Sequence, residues 1–334
     1  MYPLLSNTIA VLSAEHAAQF RLAGMFVVLV GGVLAGCIAN NRLGVSERWA
    51  KIIMTAVLIF LEWLIALLII WQIPLSRDLV WLPIIGIVMM LGITTGSATI
   101  FSLFKLDHKS RLTLILAGGL SNLGYTGGAF VCFALFGTQG LGLANIYSVL
   151  WMPTACLVFF PLLKIRELRL SGSAEKFKPI ELLDPRMLPL PATIIALILN
   201  LKGIKQPDFI ADFHIVDIFV YTASSLSFFA IGLRVNFSRI KNYINLYFPL
   251  AAVKFLLTPL VALALVWLLT LTGHDLTSLV KKVVIVLSAC PSAVFMVTMS
   301  NVFDLDGPLA SALWVATTVI FVAIVVPILF FVLA

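Results

Sequence analysis

The chain has 334 residues, of which 61% are hydrophobic and 11% charged, and its formal net charge at pH 7 is +7. This proportion of apolar residues is more than one soluble core can bury, so the composition excludes an ordinary soluble domain and predicts an all-α membrane protein. The basic residues are scattered through short connections and form no continuous stripe, which argues against a nucleic-acid partner.

Ten apolar runs follow one another along the chain, most of them long enough to cross the hydrocarbon core as a helix. They are residues 18–39, 50–71, 79–104, 111–136 and 139–163, followed by residues 187–201, 210–234, 243–270, 280–303 and 308–333. The residues before Gln19 lack the basic start of a secretory signal, so we expect no cleaved leader. The sequence therefore predicts ten transmembrane helices and no large soluble domain.

The longest polar segment, residues 164–186, carries six Lys or Arg residues and separates two sets of five spans. Cytoplasmic connections are enriched in Lys and Arg, so the side that holds more of them identifies the cytoplasm. The connections on the side of this segment hold fifteen basic residues, and those on the other side hold five. We therefore predict a multi-pass protein of the cell membrane, with residues 164–186 as a cytoplasmic linker and both termini outside.

An odd number of spans in each half makes the two halves enter the membrane in opposite senses, which is the inverted-repeat arrangement of many secondary transporters. The predicted repeats are residues 1–163 and 187–334. Weak internal matches agree, with Asn-x-x-Gly at residues 41–44 and 200–203 and Phe-x-x-x-Gly at residues 136–140 and 303–307.

The fourth span contains an unusual density of glycine and polar residues, which disfavours a continuous helix. Unwound backbone at membrane depth survives only where it is buried in protein or lines a wet cavity, so this stretch is a candidate binding site. The candidate residues are Ser121, Asn122, Gly124, Tyr125, Thr126, Gly127 and Gly128. An alternative remains open, because Gly124 and Gly128 also have the spacing that lets two membrane helices approach closely.

The ninth span contains the matching feature, since Pro291 removes an amide donor and crowds the preceding turn. Ser292 and Ala293 follow it and complete the second half of the candidate site. The amino ends of half-helices from both breaks are expected to meet, and their free amides and partial positive charge favour an anion.

Two ionisable residues lie inside predicted spans, where a charge is costly unless it faces protein or water. Lys254 in the eighth span is a candidate to neutralise a bound carboxylate, and the alternative is that its side chain reaches toward the interface. Glu62 in the second span is a candidate to carry a coupling proton, and the alternative is a partner on another helix. The chain has neither HExxH nor GxSxG, so no enzymatic activity is expected.

At these residues the sequence resembles the auxin efflux carrier family, which includes plant auxin carriers and bacterial malate or malonate permeases. The segment Ser121–Gly128 is similar to the family's glycine-rich stretch in the fourth span, with Ala129 where the family has proline. Lys254 with Pro259 resembles its eighth span, and residues 289–294 resemble its Met-Pro-Pro-Ala-Val segment, with Ser292 in place of the second proline.

The resemblance implies a ten-helix fold of two inverted five-helix repeats, in which helices four and nine are broken and cross, and a scaffold part beside a moving transport part. It implies a small organic anion as substrate and the lipid bilayer as surroundings, with no cofactor or metal. Coupling to sodium or protons and a homodimer stay open. Two alternatives also stay open, a sodium-coupled symporter of the related bile acid type and a membrane ligand sensor that no longer transports.

Overall fold

The computed structural model describes residues 2–43, 47–171, 188–233 and 243–333, which are helical apart from short connections. The helices of the first half are α1 (Tyr2–Leu43), α2 (Glu47–Ala56), α3 (Trp63–Gln72), α4 (Trp81–Ser102), α5 (His108–Gly119), α6 (Gly128–Ser148), α7 (Trp151–Thr154) and α8 (Phe160–Ser171). Those of the second half are α9 (Pro189–Leu201), α10 (Phe209–Asp212), α11 (Ile215–Gly232), α12 (Ile244–Ala252), α13 (Thr258–Leu271), α14 (Ser278–Ser288), α15 (Val294–Val302), α16 (Gly307–Ile320) and α17 (Val326–Leu333).

Four pairs of these helices continue as single rods through a π-helical turn. The turns are Val57–Glu62 between α2 and α3, Ala155–Phe159 between α7 and α8, Val253–Leu257 between α12 and α13, and Phe321–Val325 between α16 and α17. A π-helical turn is uncommon and is often found at functional positions. Two of the four contain the ionisable residues Glu62 and Lys254.

The described residues contain seven continuous helices that are long and apolar enough to cross a membrane. They are Ala23–Arg42, Arg48–Gln72, Arg77–Ser102, Gly128–Ile165, Ile215–Gly232, Ile244–Leu271 and Gly307–Leu333, and Pro189–Leu201 is a shorter apolar helix. The sequence predicts ten spans. The numbers differ because the predicted fourth and ninth spans are each divided into two short helices, and because the predicted sixth span is short.

Several predicted boundaries are wrong. The first helix is much longer than residues 18–39, since α1 begins at Tyr2. The predicted fourth and fifth spans are joined through α6, which has a kink at Gly137 with a φ of 65° that favours glycine. The predicted linker lies largely outside the described residues, because residues up to Ser171 continue α8 and the rest are not described. Gly44, the last residue of the first Asn-x-x-Gly motif, also lies outside them.

The described helices pack in two groups. In the first group α1 lies along α11, and α3 lies along α9. The backbones of α1 and α11 touch, since a Cβ atom at Gly36 or Gly232 would collide with a carbonyl of the opposite helix. The second group contains α4, α5, α13, α14 and α16, and α6 contacts both groups.

Large apolar side chains cover much of the outer surface. Phe248, Trp267 and Phe331 are more than half exposed, on three different helices. Soluble proteins rarely expose apolar surface on this scale, so these faces belong in lipid. The chain is a multi-pass membrane protein, in agreement with its composition.

Candidate functional site

The first interruption lies between α5 and α6, where residues 120–127 are not helical. Asn122 stabilises this loop by hydrogen bonds to residues at its other end. Its side-chain amide donates to the Thr126 carbonyl at 3.2 Å and to the Thr126 hydroxyl oxygen at 3.1 Å, and its own carbonyl accepts from the Gly128 amide at 2.9 Å. Gly127 must lack a side chain, because a Cβ atom there would collide with the Asn122 carbonyl.

The second interruption lies between α14 and α15, at residues 289–293. Pro291 has no amide hydrogen, so the helix that ends at Ser288 is not continued through it. Ser292 is fully buried and is held from two sides. Its hydroxyl donates to the Ala117 carbonyl at 2.7 Å, and its amide donates to the Thr317 hydroxyl oxygen at 3.3 Å.

The two interruptions are joined to each other by backbone hydrogen bonds. The Asn122 amide donates to the Pro291 carbonyl, and the Ala293 amide donates to the Leu120 carbonyl, both at 2.8 Å. Ser121 and Ser292 thereby face each other as a short antiparallel bridge. Segments about 170 residues apart in the chain therefore satisfy each other's buried polar groups.

These bonds occupy amides inside the two interruptions, and the predicted contribution of the half-helix amino ends to an anion site stays a prediction. The amides of Asn122, Ser292 and Ala293 are all paired within the protein.

Lys254 lies in the π-helical turn between α12 and α13 and is fully buried. Its ammonium donates to the Ser121 hydroxyl oxygen at 2.5 Å and to the Gly118 carbonyl at 3.3 Å. The side chain points into the protein, which excludes the alternative that it reaches toward the interface. No carboxylate forms an ion pair with Lys254 in the part of the chain that the structure describes.

A small, partly open cavity lies beside the first interruption. Its polar lining comes from Ser121, Ser288 and Thr258, and the remaining lining residues are glycine, methionine, aliphatic and aromatic. Ser121 connects this cavity to Lys254 through its hydroxyl. The cavity therefore has an apolar body with the Lys254 side-chain nitrogen behind one hydroxyl.

The other predicted residues of the first interruption face away from this cavity. The Tyr125 hydroxyl donates to the Asn145 side-chain oxygen at 3.3 Å, and the Tyr125 carbonyl accepts from the Ser224 hydroxyl at 3.0 Å. Glu62 is half-buried and interacts electrostatically with Tyr125. No hydrogen bond or ion pair joins Glu62 to another described residue.

Gly124 and Gly128 do not act as a packing surface for a neighbouring helix, which was the alternative suggested by their spacing. Gly124 is exposed, and a Cβ atom there would meet nothing within 4 Å. Gly128 is in close contact, but with Leu287 near the end of α14 and with Cys290 of the second interruption. The two glycines therefore do not form one shared surface for an approaching helix.

Three contributing residues were not predicted from the sequence. Thr317, Ser224 and Asn145 are isolated polar residues in apolar helices, and each of them bonds to a residue of the interruptions. The available signal was weak, since single polar residues are common in membrane helices and their direction is not readable from spacing alone.

Residues 174–330 match the family model described as "Membrane transport protein". The match covers the second interruption and Lys254, and it does not cover the first interruption. No curated protein matches the chain.

Proposed function

We propose that this chain, which matches the membrane transport protein family model over residues 174–330 and resembles the auxin efflux carriers, is a secondary carrier for a small organic anion. The family consists of transporters and not enzymes. The anion is held beside the paired interruptions and is released on alternate sides of the membrane.

The observation that carries this proposal is a buried lysine, Lys254, at the meeting point of two broken helices. Lys254 has no carboxylate partner among the described residues, and it lies one hydroxyl away from the cavity. An isolated buried ammonium is costly, so a carboxylate that enters the cavity lowers that cost. Ser121, Ser288 and Thr258 supply hydroxyl donors for its oxygens.

The chain architecture in this proposal is two inverted repeats of five spans, residues 1–163 and 187–334, joined by a cytoplasmic linker at 164–186. Both termini lie outside. Two features support it: the interruptions fall in the spans of matching order, and the basic residues concentrate on one side of the predicted spans.

Alternating access in this proposal is a movement of one helix group against the other. The group of α1, α3, α9 and α11 is the scaffold, since close backbone contacts between α1 and α11 resist sliding. The group that contains both interruptions moves as a unit, because hydrogen bonds tie its two halves together. The contacts of α6 with α1, α3 and α11 are the surface that slides.

Glu62 is the candidate for coupling in this proposal. It lies on the scaffold side, has no partner among the described residues, and interacts with Tyr125 of the first interruption. A carboxyl at the boundary between the two groups can bind a proton in one arrangement and release it in the other.

The test is uptake of a panel of radiolabelled carboxylates by purified protein in liposomes. We expect at least one carboxylate to accumulate or exchange, and Asn122→Ala or Pro291→Ala to abolish that flux while the protein level stays normal. The control variant is Ser311→Ala, at an exposed hydroxyl that bonds only within its own helix. Binding without flux under any gradient would identify a ligand sensor and refute the carrier.

A further inference from the structure

The carboxyl end of α5 is satisfied by three different donors. A helix leaves its last carbonyls without partners and carries a partial negative charge at that end. Here the Leu116 carbonyl accepts from the Leu120 amide, the Ala117 carbonyl accepts from the Ser292 hydroxyl, and the Gly118 carbonyl accepts from the Lys254 ammonium. A cation therefore sits at the negative end of a half-helix, at the centre of the paired interruptions.

The groups around that cation are all neutral oxygens. They are the Gly118 carbonyl and the Ser121 hydroxyl, and no carboxylate of the described residues joins them. In transporters with interrupted helices, unwound carbonyls and half-helix carboxyl ends are the groups that bind a sodium ion. The ligands of the Lys254 ammonium thus have the chemistry of a monovalent-cation site.

The backbone around Lys254 is adapted to bring the ammonium there. The π-helical turn displaces one carbonyl from the helical pattern, and the Thr258 hydroxyl donates to the Val253 carbonyl at 2.7 Å. The side chain is then enclosed completely. This arrangement holds one covalently attached cation in a place that no solvent ion shares.

We propose that the Lys254 ammonium is a tethered replacement for a coupling sodium ion. This inference rests on the proposed function and specifies the source of positive charge at the anion site. A sodium-coupled carrier brings positive charge to its anion site with the ion, and here the charge is permanently attached. Anion movement is therefore independent of sodium, and a small residue at position 254 creates a site that a free sodium ion fills.

Variants at position 254 distinguish the effect of the side chain's charge from the effect of its volume. Lys254→Ala and Lys254→Ser remove the charge and leave room beside Gly118 and Ser121. Lys254→Met removes the charge and keeps most of the volume, so no ion can enter. The wild-type chain and Lys254→Met keep the site filled, so they are the matched controls for Lys254→Ala and Lys254→Ser.

The first experiment measures thermal stability of the purified protein in sodium chloride and in N-methyl-D-glucamine chloride at equal ionic strength. We expect Lys254→Ala and Lys254→Ser to show a saturable rise in melting temperature of about 2–4 °C with sodium. Wild type and Lys254→Met should not respond. Saturable stabilisation of wild type by sodium, or no response of either small variant, would overturn the inference.

The inference can still be tested if the Lys254 variants fail to fold. If both small variants are recovered only when sodium is present during purification, the inference is supported. If neither is recovered in any salt, wild type decides: saturable sodium binding overturns the inference, and its absence upholds it.

The second experiment measures carboxylate uptake in liposomes with and without sodium. We expect wild-type uptake to be equal in the two salts, Lys254→Met to be inactive in both, and Lys254→Ala to gain at least about tenfold with sodium. Wild-type uptake that requires sodium would overturn the inference and keep the carrier. If the variants show the expected stability pattern but no carboxylate is transported, the proposed carrier function is refuted and the proposed cation site is retained.

Discussion

Ser292 joins the second interruption to two other parts of the protein at once. Its hydroxyl satisfies the Ala117 carbonyl at the end of α5, and its amide uses the Thr317 hydroxyl on α16. Sequence comparison with the auxin efflux carrier motif places a proline at this position, and proline could supply neither donor. The serine therefore replaces a conformational restriction with specific hydrogen bonds.

Ser292→Ala should lower the free energy of unfolding by about 1–3 kcal/mol, because the buried Ala117 carbonyl loses its donor. Thermal unfolding in detergent measures the change. Ser311→Ala is the control and should stay within about 0.5 kcal/mol of wild type, since its hydroxyl is exposed and bonds within α16. Equal stability of the two variants would show that the Ser292 bond contributes nothing.

Glu62→Gln should remove the response of uptake to a pH gradient, because an amide cannot exchange the proton that we assign to the carboxyl. Tyr125 feels the charge of Glu62 without a hydrogen bond between them, so Tyr125→Phe should alter that response less. Uptake at several internal and external pH values measures both variants. Asp275→Asn, at an exposed carboxylate outside the site, serves as the control. A full response in Glu62→Gln would exclude Glu62 from coupling.

At the scale of helices, the start of α5 is held by its capping residue. The Asp107 carboxylate accepts from the Ser110 amide at 3.0 Å, and hydrogen bonds from the Ser110 hydroxyl and amide hold the pKa of Asp107 below its usual value. A lowered pKa means that the folded protein favours the ionised form. The stabilisation is therefore present at neutral pH and is lost as the pH falls through the folded-state pKa.

Asp107→Ala should lower stability at pH 7 by about 1 kcal/mol, which is typical of a lost capping residue. The difference from wild type should shrink as the pH approaches 3, because the wild-type carboxyl is then protonated. Thermal unfolding of both proteins between pH 7 and pH 3 measures this convergence. A difference that stays constant over this range would mean that the carboxylate is not the stabilising form.

At the scale of the whole molecule, the contact between α3 and α6 lies on the proposed sliding surface. A Cβ atom at Gly142 would lie 2.8 Å from a methyl group of Ile69, so cysteines at the two positions fall within reach of a disulfide. A bond there would fix the moving group to the scaffold.

The double variant Gly142→Cys and Ile69→Cys, with the four native cysteines replaced, should lose uptake on oxidation and regain it on reduction. Each single cysteine variant is a control that should be insensitive to oxidation. Uptake by liposomes before and after reduction measures the effect. Full uptake by protein that is completely cross-linked would refute a sliding motion at this contact.

The sequence by itself determined the membrane class, the resemblance to the auxin efflux carriers and the positions of both interruptions. The family match confirms the resemblance that the motifs carry. Loss of helix at residues 120–127 and 289–293 was predictable because glycine density and Pro291 act on the backbone locally. Helix ends and the number of continuous spans were less predictable, since Gly137 and the π-helical turns depend on packing against neighbours.

Only the tertiary structure decided which groups meet. The pairing of Asn122 with Pro291 and the contact of Lys254 with Ser121 and Gly118 join segments far apart in the chain. No local pattern encodes such partners, because a buried amide or ammonium takes whichever acceptor the packing brings near. For the same reason the sequence left two directions open for the Lys254 side chain, and packing buried it against the end of a half-helix.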